Sequence, residues 1–342
     1  MKRIFTTFLA LTMSLILAVF ASGCSGCSSC NGPTALTFTQ NFYGNGEPKV
    51  NYKEILTYSV RYDDNYNKFL KNEAVLSEQL ISTLKYDGEY TSVFTVRSGL
   101  DKDIQTDIPF DPTKPIYHLS TELNIKSTYK INGTYAEGAI DNGDGTFSYD
   151  EYIKSEVYFL EKGHSFAPIF SKTEQRYSTI SLSSSKASVS LNESSFSIGY
   201  NKDSYKITKT KGENTSTENY IYSFKSLIDN NQLLFAIRGL EIAEKSGINI
   251  PVVSPTFGAP QSLALSNEAE NTITTTLNGY KDVEIPVRNI KFNVSNKFNT
   301  GASHFVLVQK GSTNDSIPNK ALIIEYASPL VAYGSFVNLG VE

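Results

Sequence analysis

The chain has no tryptophan, and only three histidines, three cysteines and two methionines. All of its cysteines, Cys24, Cys27 and Cys30, stand near the start. The long remainder therefore has no thiol for a disulfide or a thiolate metal site, and burial of apolar groups must stabilise it. Without tryptophan it lacks the indole that favours stacking on sugars. His118, His164 and His304 are widely separated, and no H-E-x-x-H occurs; Glu122 after His118 is the nearest approach. A zinc site would have to assemble from distant segments. A G-x-S-x-G nucleophile elbow and a phosphate-cradling G-x-x-x-x-G-K-[ST] loop are both missing. Basic residues number 31 against 35 acidic ones, for a net charge of −4. That balance disfavours nucleic acid as a partner and supplies no polybasic patch for anionic lipid. The sequence thus carries no recognisable catalytic motif and no expected cofactor or metal.

What is present begins with an address. Met1-Lys2-Arg3 precedes a stretch from Ile4 to Ala21 without a charge, the layout of a secretory signal peptide. Its length approaches the roughly 20 apolar residues of a membrane span. Its end, Ala21-Ser22-Gly23-Cys24, favours the signal: small residues before a cysteine resemble the lipobox of bacterial lipoproteins. The resemblance implies cleavage before Cys24 and lipid on its sulfur, although leucine is commoner where Ala21 stands. Each buried methylene of such lipid contributes about 0.8 kcal/mol, so two or three chains hold firmly. The expected location is the extracytoplasmic face of a bacterial membrane, with removal of Lys2 and Arg3 leaving a more acidic mature chain.

C-x-x-C-x-x-C spacing over Cys24, Cys27 and Cys30 suggests a metal site. Lipid would consume Cys24, however, and two remaining thiols make a poor one. A Cys27–Cys30 disulfide is left open. The Ser- and Gly-rich surroundings point to a flexible tether over residues 24–44. Residues 45–342 are expected to form one β-rich domain, with a division near residue 226 as the alternative.

In that body strict alternation dominates. From Leu123 to Ile131 the apolar residues take the odd positions, as in a half-buried strand. Phe147, Tyr149, Ile153, Val157 and Phe159 keep this parity after Asp141-Asn142-Gly143-Asp144-Gly145, whose glycines suit a tight hairpin. Further strands are expected over Glu54 to Tyr62, Phe196 to Tyr200, Tyr220 to Phe224, Val283 to Val287, Phe305 to Val308 and Val331 to Leu339. Asp87-Gly88 signals another hairpin, and Val75 to Leu84 fits a helix nearly as well as a strand. Asp229-Asn230-Asn231-Gln232 carries a capping-box signal. Leu233, Leu234, Ile237, Leu240 and Ala243 follow at helical spacing, so a helix over 229–246 is expected, closed by Gly247. Ile248 to Leu265, rich in Pro, Gly and aliphatics, reads as an apolar loop. The expected architecture is mainly β: a large curved antiparallel sheet, half-barrel or barrel-like, with one substantial helix packed on it.

From Tyr52 onward the order of features resembles an uncharacterised β-rich family of bacterial envelope proteins. The residues that carry this are the strand Glu54 to Val60, the segment Asp229…Leu233-Leu234-Phe235-Ala236-Ile237-Arg238, and the closing strands Ile317 to Ile324 and Gly334 to Leu339. The chain also resembles the half-barrels of lipoprotein carriers, which implies a sheet and helix enclosing an apolar cavity. No catalytic residue follows from either resemblance.

Two candidate sites remain. Asp141, Asn142, Asp144, Asp150 and Glu151 offer clustered oxygens of the kind calcium favours. Aligning Gly145 with the glycine of a calcium loop nevertheless puts Ile140 where the first acid belongs, so an ion-free turn is expected. On the helix, Phe235 and Arg238 are candidate ligand-binding residues; a guanidinium beside a cavity can hold a carboxylate or phosphate. The alternative for Arg238 is internal pairing, with its stem covering apolar surface. The leading functional expectation is a lipid-anchored, non-catalytic binder of an apolar or amphiphilic molecule. The second is an adhesin or assembly protein with a surface protein partner, and the third an exported hydrolase.

Overall fold

A computed structural model describes residues 50–61, 81–161 (except 105, 107, 109 and 112), 166–182, 186–222, 227–255 (except 241), 258–277, 280–293, 303–310, 322–327 and 332–341. The signal segment, Cys24 and its tether lie outside these, as do His164 and most of Ile317 to Ile324.

Strands dominate, as alternation predicts. In chain order they are β1 (Lys53–Arg61), β2 (Ile81–Arg97), β3 (Ile116–Ile131), β4 (Gly133–Thr134), β5 (Ile140–Asp141), β6 (Phe147–Glu161), β7 (Phe166–Leu182), β8 (Ala187–Tyr200), β9 (Ser204–Lys211) and β10 (Asn214–Ile221). After them come β11 (Ile228–Asp229), the helix α1 (Leu233–Gly239), β12 (Gly247–Val253), β13 (Gln261–Leu277), β14 (Tyr280–Asn293), β15 (Ser303–Gln309), β16 (Ile323–Ala327) and β17 (Ala332–Val341). All belong to one sheet, and those on either side of residue 226 are joined in it.

The pairings set an unusual route. Beginning in the middle of the sheet, the chain steps outward from β1 through β2, β3, β6, β7, β8 and β9 to an edge at β10. It then crosses to the opposite edge at β11 and β12 and returns through β13 to β17, which pairs with β1. Neighbours are antiparallel except at β11–β12 and at the short β4–β8 contact. A sheet this wide must twist and curl. The curl brings the crossover against strands of the outgoing half: Phe235 of α1 lies 4.6 Å, ring centre to ring centre, from Phe94 of β2, 5.5 Å from Phe159 of β6 and 5.7 Å from Phe166 of β7.

Parity decides the core. Leu119, Leu123, Ile125 and Tyr129 of β3 face inward, as do Tyr149, Ile153, Val157 and Phe159 of β6. On the outer face Ile116, Tyr158 and Ile169 form a smaller cluster with Leu100, Ile104 and Phe110 from the segment between β2 and β3.

Three expectations are corrected. Asp87-Gly88 is no hairpin, for both residues sit inside β2, paired with β1 and β3. A Cβ on Gly88 would fall 2.1 Å from the carbonyl oxygen of Asn124, so glycine serves a close backbone approach there. Ile248 to Leu265 is no loop, since it contains β12 and the start of β13. Ile250, Val252 and Val253 are all fully buried, which produces an apolar run without alternation. Pro251 is tolerated because β11 bonds only to Val252 and Val253, leaving its missing N–H without consequence.

The third correction concerns the helix. The capping box forms: Asp229 Oδ1 accepts from the Asn231 N–H at 2.8 Å, and Gln232 Oε1 accepts from the Asp229 N–H at 3.2 Å. Asn230–Gln232 make a 3₁₀ turn before α1, but the helix stops at Gly239 instead of 246, with Leu240 extended. Glycine is a poor helix interior residue. Arg288 of β14 also takes the terminal carbonyls, donating to Leu240 O at 2.6 Å and Arg238 O at 3.1 Å. Seven residues are too few for a helix to hold alone in water. Burial of Leu233, Phe235, Ala236 and Ile237 holds it, together with a paired charge.

That charge is Arg238, whose two terminal nitrogens donate to the Glu54 carboxylate of β1 at 2.7 and 3.0 Å. Both side chains are at most 4% exposed. Burial opposes the charge on Arg238, but the carboxylate outweighs it and holds the guanidinium more firmly protonated than usual. Removing one partner of such a pair strands the other in the interior, typically at a cost of about 3–5 kcal/mol. Glu54→Gln and Arg238→Met should each lower the unfolding free energy measured by urea titration by an amount of that order. Combining Arg238→Met with Glu54→Leu should recover most of the loss; equal losses in single and double variants would show that the pair is not what fixes α1 to β1.

Candidate functional site

The space beside α1 is the candidate site. Phe235 and Arg238 both line it, with Leu234, Leu56 and Tyr58 of β1, Tyr90 of β2, Leu119 of β3 and Ile323 of β16. The cavity is about 30 Å³, room for about two water molecules. Aromatic packing accounts for its smallness: Phe94, Tyr117, Phe159, Phe166 and Phe235 interlock with ring centres 4.6 to 6.3 Å apart. Tyr58 further closes the wall by donating to the Ile323 carbonyl at 3.0 Å. Arg238, expected to offer its fork to a ligand's acid, holds the carboxylate of Glu54 and lies 5.3 Å over the Phe235 ring. Burial, ahead of the nearby charges, raises the hydroxyls of Tyr52 and Tyr58 above the ordinary tyrosine range.

Two polar groups of the interior have roles beyond those read from the sequence, which took Asp229 to Gln232 as a helix cap and Glu151 as a calcium candidate. At the start of the crossover, Asp229 accepts from the Tyr200 hydroxyl at 2.5 Å, Asn231 Nδ2 donates to Thr173 Oγ1 at 3.0 Å, and Gln232 Nε2 donates to the Phe166 carbonyl at 3.2 Å. Burial raises the Asp229 carboxyl from its usual range, against the pull of its hydrogen bonds. Further along the curl, Glu151 of β6 accepts from Ser178 Oγ at 2.5 Å and from Ser127 Oγ, and Tyr129 lies 2.6 Å from that same Ser178. The second carboxyl oxygen of Glu151 is buried without a hydrogen-bond partner. The missed signal was an acid on the inward parity: Glu151 falls in register with Tyr149 and Ile153, and Glu54 with Leu56 and Tyr58.

The calcium candidate comes apart. Asp141 Oδ1 accepts from the Gly143 N–H and Asp144 Oδ1 from the Thr146 N–H, each at 2.9 Å, as turn residues do. Asp150 is exposed while Glu151 points inward. Among the described residues no group of three or more His, Cys, Asp or Glu converges in a metal-binding arrangement.

His118 belongs to an outer-face cluster. Its ring stacks on Tyr158 at 4.3 Å, and the Tyr158 hydroxyl donates to Asp101, which is also paired with Arg97. Burial first, and the Arg97 charge second, lower His118 to about 4. Its Nδ1 lies 3.4 Å from Thr95 Oγ1 and its Nε2 3.9 Å from the half-exposed Glu156. Those distances are long for a relay, and the cluster sits under the segment between β2 and β3.

No family model matches this chain. Nor does any curated protein. Among solved structures one is similar in part: the crystal structure of a β-barrel-like protein of a domain of unknown function from Brucella abortus. It is 6% identical, with a TM-score of 0.44 over 86% of this chain and all of that one. The mainly antiparallel, half-barrel character stated above rests on the strand pairings of this chain itself. No described helix is long and apolar enough to cross a membrane.

Burial, working against the hydroxyls around it, raises Glu151 from 4.5 to about 7. A carboxyl raised on folding binds its proton more tightly in the native state, so it contributes stability below about pH 4.5 that is lost as pH rises through 7. The loss corresponds to roughly 3 kcal/mol. Glu151→Gln should abolish that part of the slope and leave the variant more stable than the parent at pH 8, by urea unfolding at a series of pH values. A slope unchanged by the substitution would place the titrating group elsewhere.

Proposed function

We propose that the protein is a lipid-anchored, non-catalytic component of the bacterial envelope that works through its outer surface, as an assembly or interaction protein. The observation that carries this reading is the close packing beside α1. Ligand sites for amphiphiles are commonly hundreds of cubic ångströms in volume, whereas the cavity at α1 is about 30 Å³. Ionisable interior groups are held by partners that fix structure: Arg238 by Glu54, and Asp229 by Tyr200 and its own cap. The described residues bring no histidine to a serine and no pair of carboxylates into a cleft. The exported-hydrolase reading therefore has no support from their arrangement.

Anchoring comes from Cys24 after the small residues Ala21-Ser22-Gly23. In the bacterial host, the parent chain should fractionate with membranes and take up labelled palmitate. Cys24→Ala should lose both label and membrane association. A variant that stays with the membranes would mean the apolar stretch itself is the anchor.

A second reading has one observation in its favour. The cavity at α1 is walled by apolar side chains, with Phe235 and Leu234 on its helical side. Rotation of these two would extend it toward the width of a single acyl chain, making the protein a binder of an apolar or amphiphilic molecule. On this reading the chain incubated with a membrane lipid extract should keep one lipid in native mass spectrometry, and Leu234→Trp should expel it. Retention of none upholds the surface reading.

A further inference from the structure

The two edges of the sheet differ. At one, β11 is two residues long and buried. At the other, β10 is eight residues long and runs Asn-Thr-Ser-Thr-Glu-Asn-Tyr-Ile, exposed throughout except for the half-buried Tyr220. Among the described residues β10 pairs only with β9. Its far side is an open row of backbone donors and acceptors.

The register identifies that row. Lys211 and Asn214 face each other across the two-residue turn Gly212-Glu213, where Gly212 takes the positive φ of +59°. A pair closing a two-residue turn exchanges hydrogen bonds, and bonding then alternates along the strand. Asn214, Ser216, Glu218 and Tyr220 therefore bond back to β9, and the amides and carbonyls of Thr215, Thr217, Asn219 and Ile221 face outward. Open edges in natural proteins are ordinarily guarded by proline, lysine, a bulge or a covering segment. Among the described residues none of these guards the outward positions of β10, and its pairing to β9 has no register shift.

We propose that β10 is a self-association edge, pairing antiparallel with β10 of a second copy of this chain about a two-fold axis at Thr217. In that register Thr217 meets its own symmetry mate, Thr215 meets Asn219, and Ser216 meets Glu218. Charge favours a second copy over a foreign strand. Lys209 of β9 is opposite Ser216 and already reaches Glu218 of its own chain at 3.1 Å. With the two copies paired, Glu218 of each lies beside Ser216 of the other, one strand from its Lys209. Each ammonium then stands between two carboxylates, and each carboxylate between two ammonium groups. A two-fold contact must be self-complementary, and this face is. The opposite face of the hairpin carries Thr208, Thr210, Thr215 and Thr217, the Thr210 and Thr215 hydroxyls 3.2 Å apart, with Lys206 opposite Asn219.

The pairing depends neither on the lipid anchor nor on an interior ligand, so its test is separate from those above. The full-length chain in detergent, sedimented over a micromolar concentration series, should reach a dimer. Thr217→Pro, at an exposed position remote from the core, should leave circular dichroism unchanged and yield monomer. Lys209→Glu and Glu218→Lys should each weaken the dimer about tenfold, the scale of two lost exposed ion pairs. The chain carrying both substitutions, with the charges exchanged, should regain it. Monomer at every concentration overturns the proposal, as does a dimer indifferent to Thr217→Pro or to the charge reversals.

Discussion

Between β10 and β12 the chain has to pass from one edge of a curled sheet to the other, and it does so against the sheet's inner face. Every backbone and side-chain polar group on that path must find a partner away from water. Asp229 and Gln232 satisfy the start of the helix, Arg288 satisfies its end, and Arg238 is matched by Glu54 on the first described strand. β1 stands at the seam where the outgoing strands meet the returning ones, bonded to β2 on one side and β17 on the other. The ion pair thus fixes the crossover to the place where the two halves of the sheet join. A buried pair of this kind adds little net stability compared with an apolar substitute. What it supplies is position: α1 can settle in only one way without leaving a charge unmatched.

The sequence announced the strands whose two faces see different surroundings. β3 and β6 have an apolar face and a polar one, so their parity could be followed residue by residue. It was silent where that contrast vanishes. Ile250, Val252 and Val253 are enclosed from both sides, so β12 showed only an apolar run broken by Pro251. Helical spacing continued through Leu240 and Ala243 because those residues are apolar for another reason, Leu240 being buried in extended backbone. The stop combines Gly239 with Arg288, 48 residues downstream of Leu240, which takes the terminal carbonyls. No local pattern carries such a contact.

The candidate site was legible in the same uneven way. Phe235 and Arg238 do stand together beside α1, because helical spacing puts residues three apart on one face. Their partners come from β1, β2 and β3, whose approach is tertiary. Glu54 and Glu151 were visible in principle as acids occupying inward positions of alternating strands. The two then part company. Glu54 meets a guanidinium that takes both its oxygens; the hydroxyl cage around Glu151 solvates a carboxyl only in part, and burial favours the neutral acid. One sheet therefore holds a charge that binds the fold together and another group whose charge would loosen it as pH rises.

The interior also bears on how the outside can act. Rings from β2, β3, β6, β7 and α1 fill the middle of the curl, and an interior packed this closely has low compressibility and passes strain to its neighbours. The cavity at Leu234 and Phe235 is the one void described beside α1, and it adjoins the Arg238–Glu54 pair. A molecule wedged there would have to displace Phe235 from Phe94, 4.6 Å away, and with it the ring over which Arg238 lies. Any response to such binding would pass along β1, whose two neighbours belong to opposite halves of the sheet. The outer hairpin β9–β10 lies away from that pair and joins the body through β8, to which β9 is paired from Tyr205 to Thr210. Tyr205 and Ile207 of β9 are buried with Ile198, Tyr200, Leu227 and Val253, and the Tyr205 hydroxyl donates to the Gly258 carbonyl at 2.5 Å. The outward positions of β10 lie on the side away from these contacts, so pairing there leaves the rings that fill the curl undisturbed.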